Sequence, residues 1–322
     1  MSTVPHKAHL AVILGALVLA VATSFATALT KPSAAQAADI TCDSKTGGGK
    51  KVYDGPTAST AYDTRFRKGP LISGLSTHTP QGVAAWFNWS GPNQNLLVVT
   101  AYQDGQRAHL IGIDPASGNE VGTVAVAPSH VGGIAITMGW AFVQGEGNVI
   151  RKYRLSDLKA KMTAPGTPYL KQIGKARKVY GADFISSYGD TVYAGRFNKG
   201  DRDKMYSYKV AADGSLATQA GAYEVPKKTQ GLLVTANRFI YSTSYGNDNR
   251  SNLYVVNGGA RTISPSTAKC FRAPSMTEGI TEYGGKAYLV YESGAAQYVA
   301  KNPRNVIPGM HVAPIGTLTS YK

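Results

Sequence analysis

The sequence predicts an all-β fold built from a repeated unit of four short strands. Two observations indicate it. A short marker containing glycine recurs about every 49 residues, and runs rich in Val, Ile, Tyr and Thr alternate with glycine-containing turns. Helical periodicity is absent apart from a weak stretch around residues 155–161.

The composition excludes several classes of protein. The chain has 322 residues, of which 43% are apolar and only 16% charged, with 36 glycines, 19 tyrosines and two cysteines. A chain of this kind can bury a core, and it is not a disulfide-dense scaffold, a coiled coil, a charge-rich disordered chain or a polytopic membrane protein. The formal charge of +15 favours an acidic partner or a solvated basic surface.

The first 37 residues are predicted to be a signal peptide. Lys7 gives a basic start, residues 10–29 are apolar and uncharged, and Ala35-Gln36-Ala37 fits a signal-peptidase site. We expect a secreted, extracellular protein that begins at Ala38 and has no transmembrane segment after cleavage. The alternative is an uncleaved anchor, because twenty apolar residues can span a bilayer.

Both cysteines lie beyond the predicted cleavage site. In an oxidising compartment Cys42 and Cys270 are expected to form a disulfide that ties the start of the mature chain to a point late in the sequence. Two free buried thiols are the alternative.

The repeat is marked by a small residue that opens a strand. The marker occurs at Gly82, Gly133, Asp183, Gly231 and Gly279, and the steps are 51, 50, 48 and 48 residues. The fourth copy shows the unit well. Its strands are predicted at 231–235, 238–244 and 252–256, and its fourth strand at 260–264 or 268–273.

Four strands per unit at this period resemble the blades of a β-propeller, and the chain resembles secreted bacterial β-propellers with five blades. Residues 71–322 are assigned to the propeller and residues 38–70 to an N-terminal extended segment. Residues 71–75 have no earlier blade of their own, so we expect them to complete the last blade and close the ring. Sandwiched β-domains are the alternative.

Strand direction in a propeller predicts which residues gather at one end of the axis. Residues just before the first strand of each blade, and residues just after its second strand, open on the same face. The binding residues predicted there are Gln81, Tyr102, His130, Arg196, Gln230 and Tyr245.

Three carboxylates belong to the same set. The resemblance to five-bladed glycosidases implies three acids around this opening, which Asp183, Glu278 and Glu292 could supply. Gln81 and Gln230 occupy the Glu278 position in other copies, which favours a structural role for Glu278 instead. These three residues are therefore candidates, and no catalytic residue is assigned.

No cofactor or metal site is predicted. The histidines of the mature chain are scattered, and no phosphate loop, dinucleotide fingerprint or nucleophile elbow is present. The preferred function is an extracellular binding module for a surface glycan, an anionic polymer or a secreted protein. We expect a monomer that does not bind nucleic acid. The alternative is a secreted hydrolase of glycosidase or esterase/lactonase type.

Overall fold

The computed structural model describes residues 39–322, so the predicted signal peptide and Ala38 lie outside the described residues. The described chain forms five antiparallel sheets, each with a path of four paired strands. The first strands of the five sheets contact one another in cyclic order, and the last contacts the first. The prediction of a five-bladed β-propeller is therefore confirmed.

Blades one and two follow the chain in order. Blade one contains β2 (Thr79–Gly91), β3 (Gln94–Tyr102), β4 (Ala108–Ile113) and β5 (Glu120–Val126), which come after β1 (Arg67–Leu71) in the chain. Blade two contains β6 (Ile134–Thr137), β7 (Trp140–Gln144), β8 (Val149–Arg154) and β9 (Arg177–Lys178). The two outer strands of blade two are separated by a helix.

Blades three to five repeat the arrangement. Blade three contains β10 (Phe184–Tyr188), β11 (Thr191–Gly195), β12 (Asp203–Val210) and β13 (Leu216–Thr218), with β14 (Tyr223–Val225) also paired to β12. Blade four contains β15 (Thr229–Val234), β16 (Arg238–Thr243), β17 (Ser251–Asn257) and β18 (Ala268–Ala273). Blade five contains β19 (Thr277–Tyr283), β20 (Lys286–Tyr291), β21 (Gly309–Pro314) and β1.

The described helices are short. They are α1 (Thr60–Arg65), α2 (Leu155–Met162), α3 (Ala296–Val299) and α4 (Ile315–Thr319). Helix α2 coincides with the weak helical periodicity of the sequence, and its Leu158 and Met162 are buried against blade one. Within residues 39–322 no helix is both long enough and apolar enough to cross a membrane.

The ring is closed by a strand from the N-terminal side, as expected, but at a different place. Strand β1 pairs antiparallel with β21, with Arg67 opposite Val312 and Leu71 opposite Gly309. The expected strand at 71–75 is wrong in its bounds. Gly74 adopts a left-handed conformation (φ +74°), and its carbonyl accepts from the amides of Thr77 and His78, so this segment turns into β2.

Residues 39–66, here called the N-terminal strap, pack onto blades four and five. The expected disulfide is present: Cys42 is bonded to Cys270 in β18, and Asp43 bridges to Phe271 beside it. Helix α1 places the buried Tyr62 hydroxyl 2.6 Å from Nδ1 of His311. Apart from this helix and the bridge at Asp43 the strap is irregular, and covalent, ladder and side-chain contacts all hold it to the ring.

The glycine markers lie where the innermost strands approach most closely. A Cβ on Gly279 would lie 2.7 Å from the Cα of Gly82, and a Cβ on Gly82 would lie 2.9 Å from the Cα of Gly133. A Cβ on Gly133 would lie 2.1 Å from the backbone nitrogen of Ile185. No side chain fits at such separations. The repeated glycines therefore mark the positions where the first strands of neighbouring blades pack closely around the propeller axis.

Candidate functional site

One end of the axis, here called the axial mouth, collects residues from all five blades. The turns that precede the first strands of blades four and five place Lys228 and Met276 in the left-handed region, with φ of +65° and +61°. Their carbonyls accept hydrogen bonds of 2.9 and 3.1 Å from the amides of Ser244 and Glu292. These two residues directly follow β16 and β20, the second strands of the same blades. These bonds explain why residues about sixteen positions apart meet at the mouth.

The axial mouth encloses a cavity of about 430 Å³. Its lining includes six of the nine candidate residues named from the sequence, which are Gln81, His130, Asp183, Gln230, Tyr245 and Glu292. Gln144 and Ser244, which lie at the ends of the second strands of their blades, line it as well. The lining also includes Phe197, Gly246, Asn247, Met276 and Tyr298. The volume lies within the range of small-molecule sites, about 300–1,000 Å³.

Glu292 faces this cavity from the end of β20 and is 9% exposed. The Gln81 side chain, from blade one, donates a 2.5 Å hydrogen bond to Oε1 of Glu292. Burial raises the pKa of Glu292 to about 7, although the bond from Gln81 and the charge of Lys301 favour the ionised form. The carboxyl group is therefore partly protonated near neutral pH.

Glu278 lies beneath the cavity instead of lining it. Its side chain is 1% exposed, and its Oε1 has no hydrogen-bond partner in the protein. Burial and the nearby charge of Glu292 raise the pKa of Glu278 well above its usual range, while a hydrogen bond with Gln230 partly offsets the shift. Burial therefore favours the protonated form of Glu278, which lies between blades four and five.

Asp183 approaches from blade three and lines the cavity. The Phe197 amide donates a 2.8 Å hydrogen bond to Oδ2, and the Gln144 side chain, from blade two, lies 3.5 Å from Oδ1 as a donor. Burial raises the pKa of Asp183, while the Phe197 bond and the positive charge of Arg196 act in the opposite direction. All three candidate acids thus contact amide groups of the protein.

The remaining predicted binding residues occupy different depths. His130 lines the cavity, and its ring packs at 4.0 Å between centroids on Tyr102, which does not line the cavity. Burial lowers the pKa of His130 and so favours its neutral imidazole, while the charges of Asp104 and Asp183 act in the opposite direction. Arg196 points to solvent outside the lining, and the ring of Tyr245 is 40% exposed at the rim.

The rim of the mouth carries positive charge. The ammonium groups of Lys199 and Lys228 lie 4.4 and 5.7 Å from the ring centroid of Tyr245. Lys301 lies 5.0 Å from the ring centroid of Tyr298. A cation–π contact uses one side of an ammonium group, so the other side of each of these lysines can still contact an anionic ligand.

Tyr298 and Asn247 were not predicted from the sequence. Tyr298 belongs to α3, within the connection of residues 292–308, which is the longest link between the second and third strands of any blade. That length was a usable signal, because long loops on a rigid scaffold commonly carry binding residues. Asn247 sits in the loop of residues 244–250, where the sequence shows only a polar turn.

The opposite end of the axis has a larger cavity of different character. It encloses about 760 Å³ and is lined by apolar residues such as Trp86, Phe87, Met138 and Leu233. It contains one of the exposed tyrosines, Tyr188, and none of the predicted site residues. Within residues 39–322, no three His, Cys, Asp or Glu side chains are arranged to hold a metal ion at either end.

No family model matches the sequence, and a search of curated proteins finds no relative. Solved structures of low similarity are found. A nidogen/laminin complex matches at 12% identity over 73% of this chain and 85% of that one, with a TM-score of 0.39. A quinoprotein alcohol dehydrogenase-like protein of Bacteroides thetaiotaomicron matches at 13% identity over 69% and 50%, with a TM-score of 0.35.

A third similarity is to the WD40 domain of Neurospora crassa Pan2, at 11% identity over 71% of this chain and 61% of that one, with a TM-score of 0.33. These similarities are too distant to assign a ligand, partner or reaction. The five-bladed assignment therefore rests on the strand pairing and ring closure of the chain itself.

Proposed function

We propose that this propeller is an extracellular binding module that takes one saccharide unit of a surface glycan into the axial mouth. The observation that carries the proposal is the pairing of acids with amides around the cavity. Glu292 is held by Gln81 and Asp183 by Gln144, each across a junction between blades. Such pairs are fixed hydrogen-bonding groups, suited to recognising several hydroxyl groups at once.

Aromatic rings complete the site for such a ligand. Phe197 and Tyr245 lie 6.4 Å apart between centroids, and Tyr298 stands in the long connection of blade five. Aromatic side chains offer broad contact area, and tyrosine adds a polar hydroxyl. A sugar ring, with polar edges and less polar faces, matches a cavity that combines these rings with amide and carboxyl groups.

The basic rim favours an acidic glycan over a neutral one. Lys199, Lys228 and Lys301 lie near the mouth, and residues 38–322 carry a formal charge of +13, which is the +15 of the whole chain less Lys7 and Lys31. These charges increase the association rate of an anionic polymer and make binding sensitive to salt. Extracellular location is part of the proposal, supported by the Cys42–Cys270 disulfide and by the signal peptide that the sequence predicts.

A glycan array that contains acidic and neutral polysaccharides tests the proposal, followed by titration calorimetry with the best ligand. Tyr245→Ala should weaken binding by about tenfold or more, because it removes an aromatic contact and displaces two rim lysines. Tyr188→Ala is the matched control, since Tyr188 is an exposed tyrosine at the other end of the axis. Equal loss in both variants, or no glycan bound by the wild type, would reject the proposal.

A secreted hydrolase is the second candidate. The observation that favours it is that Glu292, with a pKa raised to about 7, lines the same cavity as Asp183. A carboxylic acid and a carboxylate are the pair that glycoside hydrolysis requires. The burial of Glu278 counts against three acids acting together on a substrate.

A panel of glycosidase, esterase and lactonase substrates distinguishes the two candidates. Any hydrolase activity that depends on the mouth should fall at least a hundredfold in Asp183→Asn and in Glu292→Gln. Saccharide binding with no turnover on any substrate would leave the binding module as the function. Turnover that is unchanged in both variants would reject Asp183 and Glu292 as catalytic residues.

A further inference from the structure

Three arginines lie close together beside the loop of residues 244–250, part of which lines the axial mouth. Arg250 ends the loop of residues 244–250, Arg272 lies in β18, and Arg304 belongs to the connection that precedes β21. Each residue is partly exposed. They come from two blades and from three separate stretches of the chain, so the fold itself brings them together.

The N-terminal strap fixes the position of the three arginines. A terminal nitrogen of Arg250 donates to the carbonyl of Thr57, and the hydroxyl of Ser59 donates to the carbonyl of Arg272 at 2.7 Å. The backbone of Gly55 packs so closely on Arg304 that a Cβ there would lie 2.1 Å from the Arg304 carbonyl oxygen. The three residues therefore contact three positions, 55, 57 and 59, within one short stretch of the strap.

No carboxylate of the described chain balances these charges. The ion pairs within residues 39–322 involve Arg202 and Lys209, and none includes Arg250, Arg272 or Arg304. The acceptors found for the side chains of Arg250 and Arg304 are backbone carbonyls. Burial and the charges of its two neighbours lower the pKa of Arg250.

Donor groups of the cluster also lack acceptors. The Nε atoms of Arg250, Arg272 and Arg304 are all buried and have no hydrogen-bond partner in the protein. A buried charged donor without an acceptor destabilises the fold, because its lost hydration is not replaced. Three of them at one place, with like charges, therefore call for an acceptor of negative charge.

We propose that Arg250, Arg272 and Arg304 form a binding site for a tetrahedral oxyanion, a sulfate or phosphate group. Guanidinium groups match the oxygens of such anions in paired hydrogen bonds and remain charged at all relevant pH values. The anion would connect blades four and five to the strap. This site is separate from the mouth and does not depend on what the mouth binds.

The site also has a structural link to the mouth. The backbone amide of Arg304 donates a 3.1 Å hydrogen bond to the carbonyl of Asn247, which lines the mouth cavity. An anion held by Arg304 therefore steadies one wall of the mouth. The oxyanion has two sources, a free inorganic ion or a sulfated or phosphorylated polymer, and both present the same chemistry to the arginines.

Thermal unfolding of the full mature protein tests the site. Sodium sulfate and sodium phosphate are compared with sodium chloride at equal ionic strength, and dextran sulfate is compared with neutral dextran. An anion that binds only the folded state raises the melting temperature in proportion to the logarithm of its concentration. We expect sulfate and phosphate to raise it and chloride to do so far less.

Arg304→Gln should increase the apparent dissociation constant for sulfate about tenfold or more, while Arg177→Gln, an exposed arginine of blade two, should not change it. Arg304→Lys keeps the charge and the fold but loses the paired donors, so it should also weaken binding. A sulfate effect that is equal in the wild type and all three variants would overturn the proposal. Dextran sulfate acting where inorganic sulfate does not would identify the polymer as the source.

Discussion

The side-chain amide of Gln81 donates a 2.5 Å hydrogen bond to the carboxyl group of Glu292, across the junction where blade one meets blade five. The two residues are 211 positions apart, and the contact exists only because the ring closes. Gln144 and Asp183 make the corresponding contact between blades two and three. Glu292 and Asp183 therefore each line the cavity and also accept a hydrogen bond from a neighbouring blade.

The first prediction concerns the pH dependence of stability. Glu292 has a pKa of about 7 in the folded protein against 4.5 as its ordinary value, so the folded state binds more protons between these values. Stability must then fall as pH rises from about 4.5 to 7, by on the order of 3 kcal/mol from this residue alone. The shift of Glu278 has the same sign.

Glu292→Gln should remove much of this dependence and raise stability at pH 8, because glutamine keeps an acceptor for Gln81 and carries no charge. Urea unfolding at pH 5, 6, 7 and 8 measures the effect. Glu146→Gln is the control, since Glu146 is exposed. A Glu292→Gln protein with the same pH profile as the wild type would show that burial does not raise the pKa of Glu292.

Particular residues show what the sequence could predict and what it could not. The markers at Gly82, Gly133, Gly231 and Gly279 recur once in each of their blades. Their spacing in the sequence was therefore enough to predict which residues lie next to the axis. The strands of blade four also agree with prediction to within two residues, apart from an undecided fourth strand that proves to be β18. These features depend on local pattern and repetition.

Features that depend on distant contacts were missed. Glu278 shares its repeat position with Gln81 and Gln230, which indicated a structural role, but its proximity to Glu292, whose charge helps to raise the pKa of Glu278, comes only from the folded blade. The closing strand moved from 71–75 to β1, because Gly74 starts a turn that strand patterns do not reveal. The three arginines of the proposed anion site come from separate segments of the chain, and no sequence spacing predicts that they meet.

The second prediction concerns the disulfide. Intact mass and thiol titration of the denatured, unreduced protein should find no free thiol, because Cys42 and Cys270 are bonded. The double variant Cys42→Ser/Cys270→Ser should lose roughly 2–5 kcal/mol, since the bond closes a loop of 228 positions. Reductant should lower the stability of the wild type and leave the double variant unchanged. A reactive thiol in the unreduced protein would contradict the pairing.

The third prediction concerns ring closure. A protein without residues 39–71 should aggregate or fail to unfold cooperatively, because loss of β1 leaves β21 as an unpaired edge in blade five. A protein without residues 39–66 keeps β1 and should fold, with lower stability because the Cys42–Cys270 disulfide and the burial of Tyr62 and Phe66 are lost. Size-exclusion chromatography and thermal melts compare the two. A monomeric, cooperative protein without 39–71 would show that β1 does not close the ring.

The fourth prediction tests the closeness of the inner strands. Gly133→Ala should destabilise the protein by about 3 kcal/mol or more, because its Cβ would lie 2.1 Å from a backbone nitrogen of blade three and the strands must separate. Gly316→Ala is the matched control: Gly316 lies in α4, nothing stands within 4 Å of its added Cβ, and alanine favours a helix. That variant should be neutral or slightly more stable in urea unfolding. Equal stability of the two variants would mean that the blades can move apart at the axis at little cost, and the glycine repeat would then need another explanation.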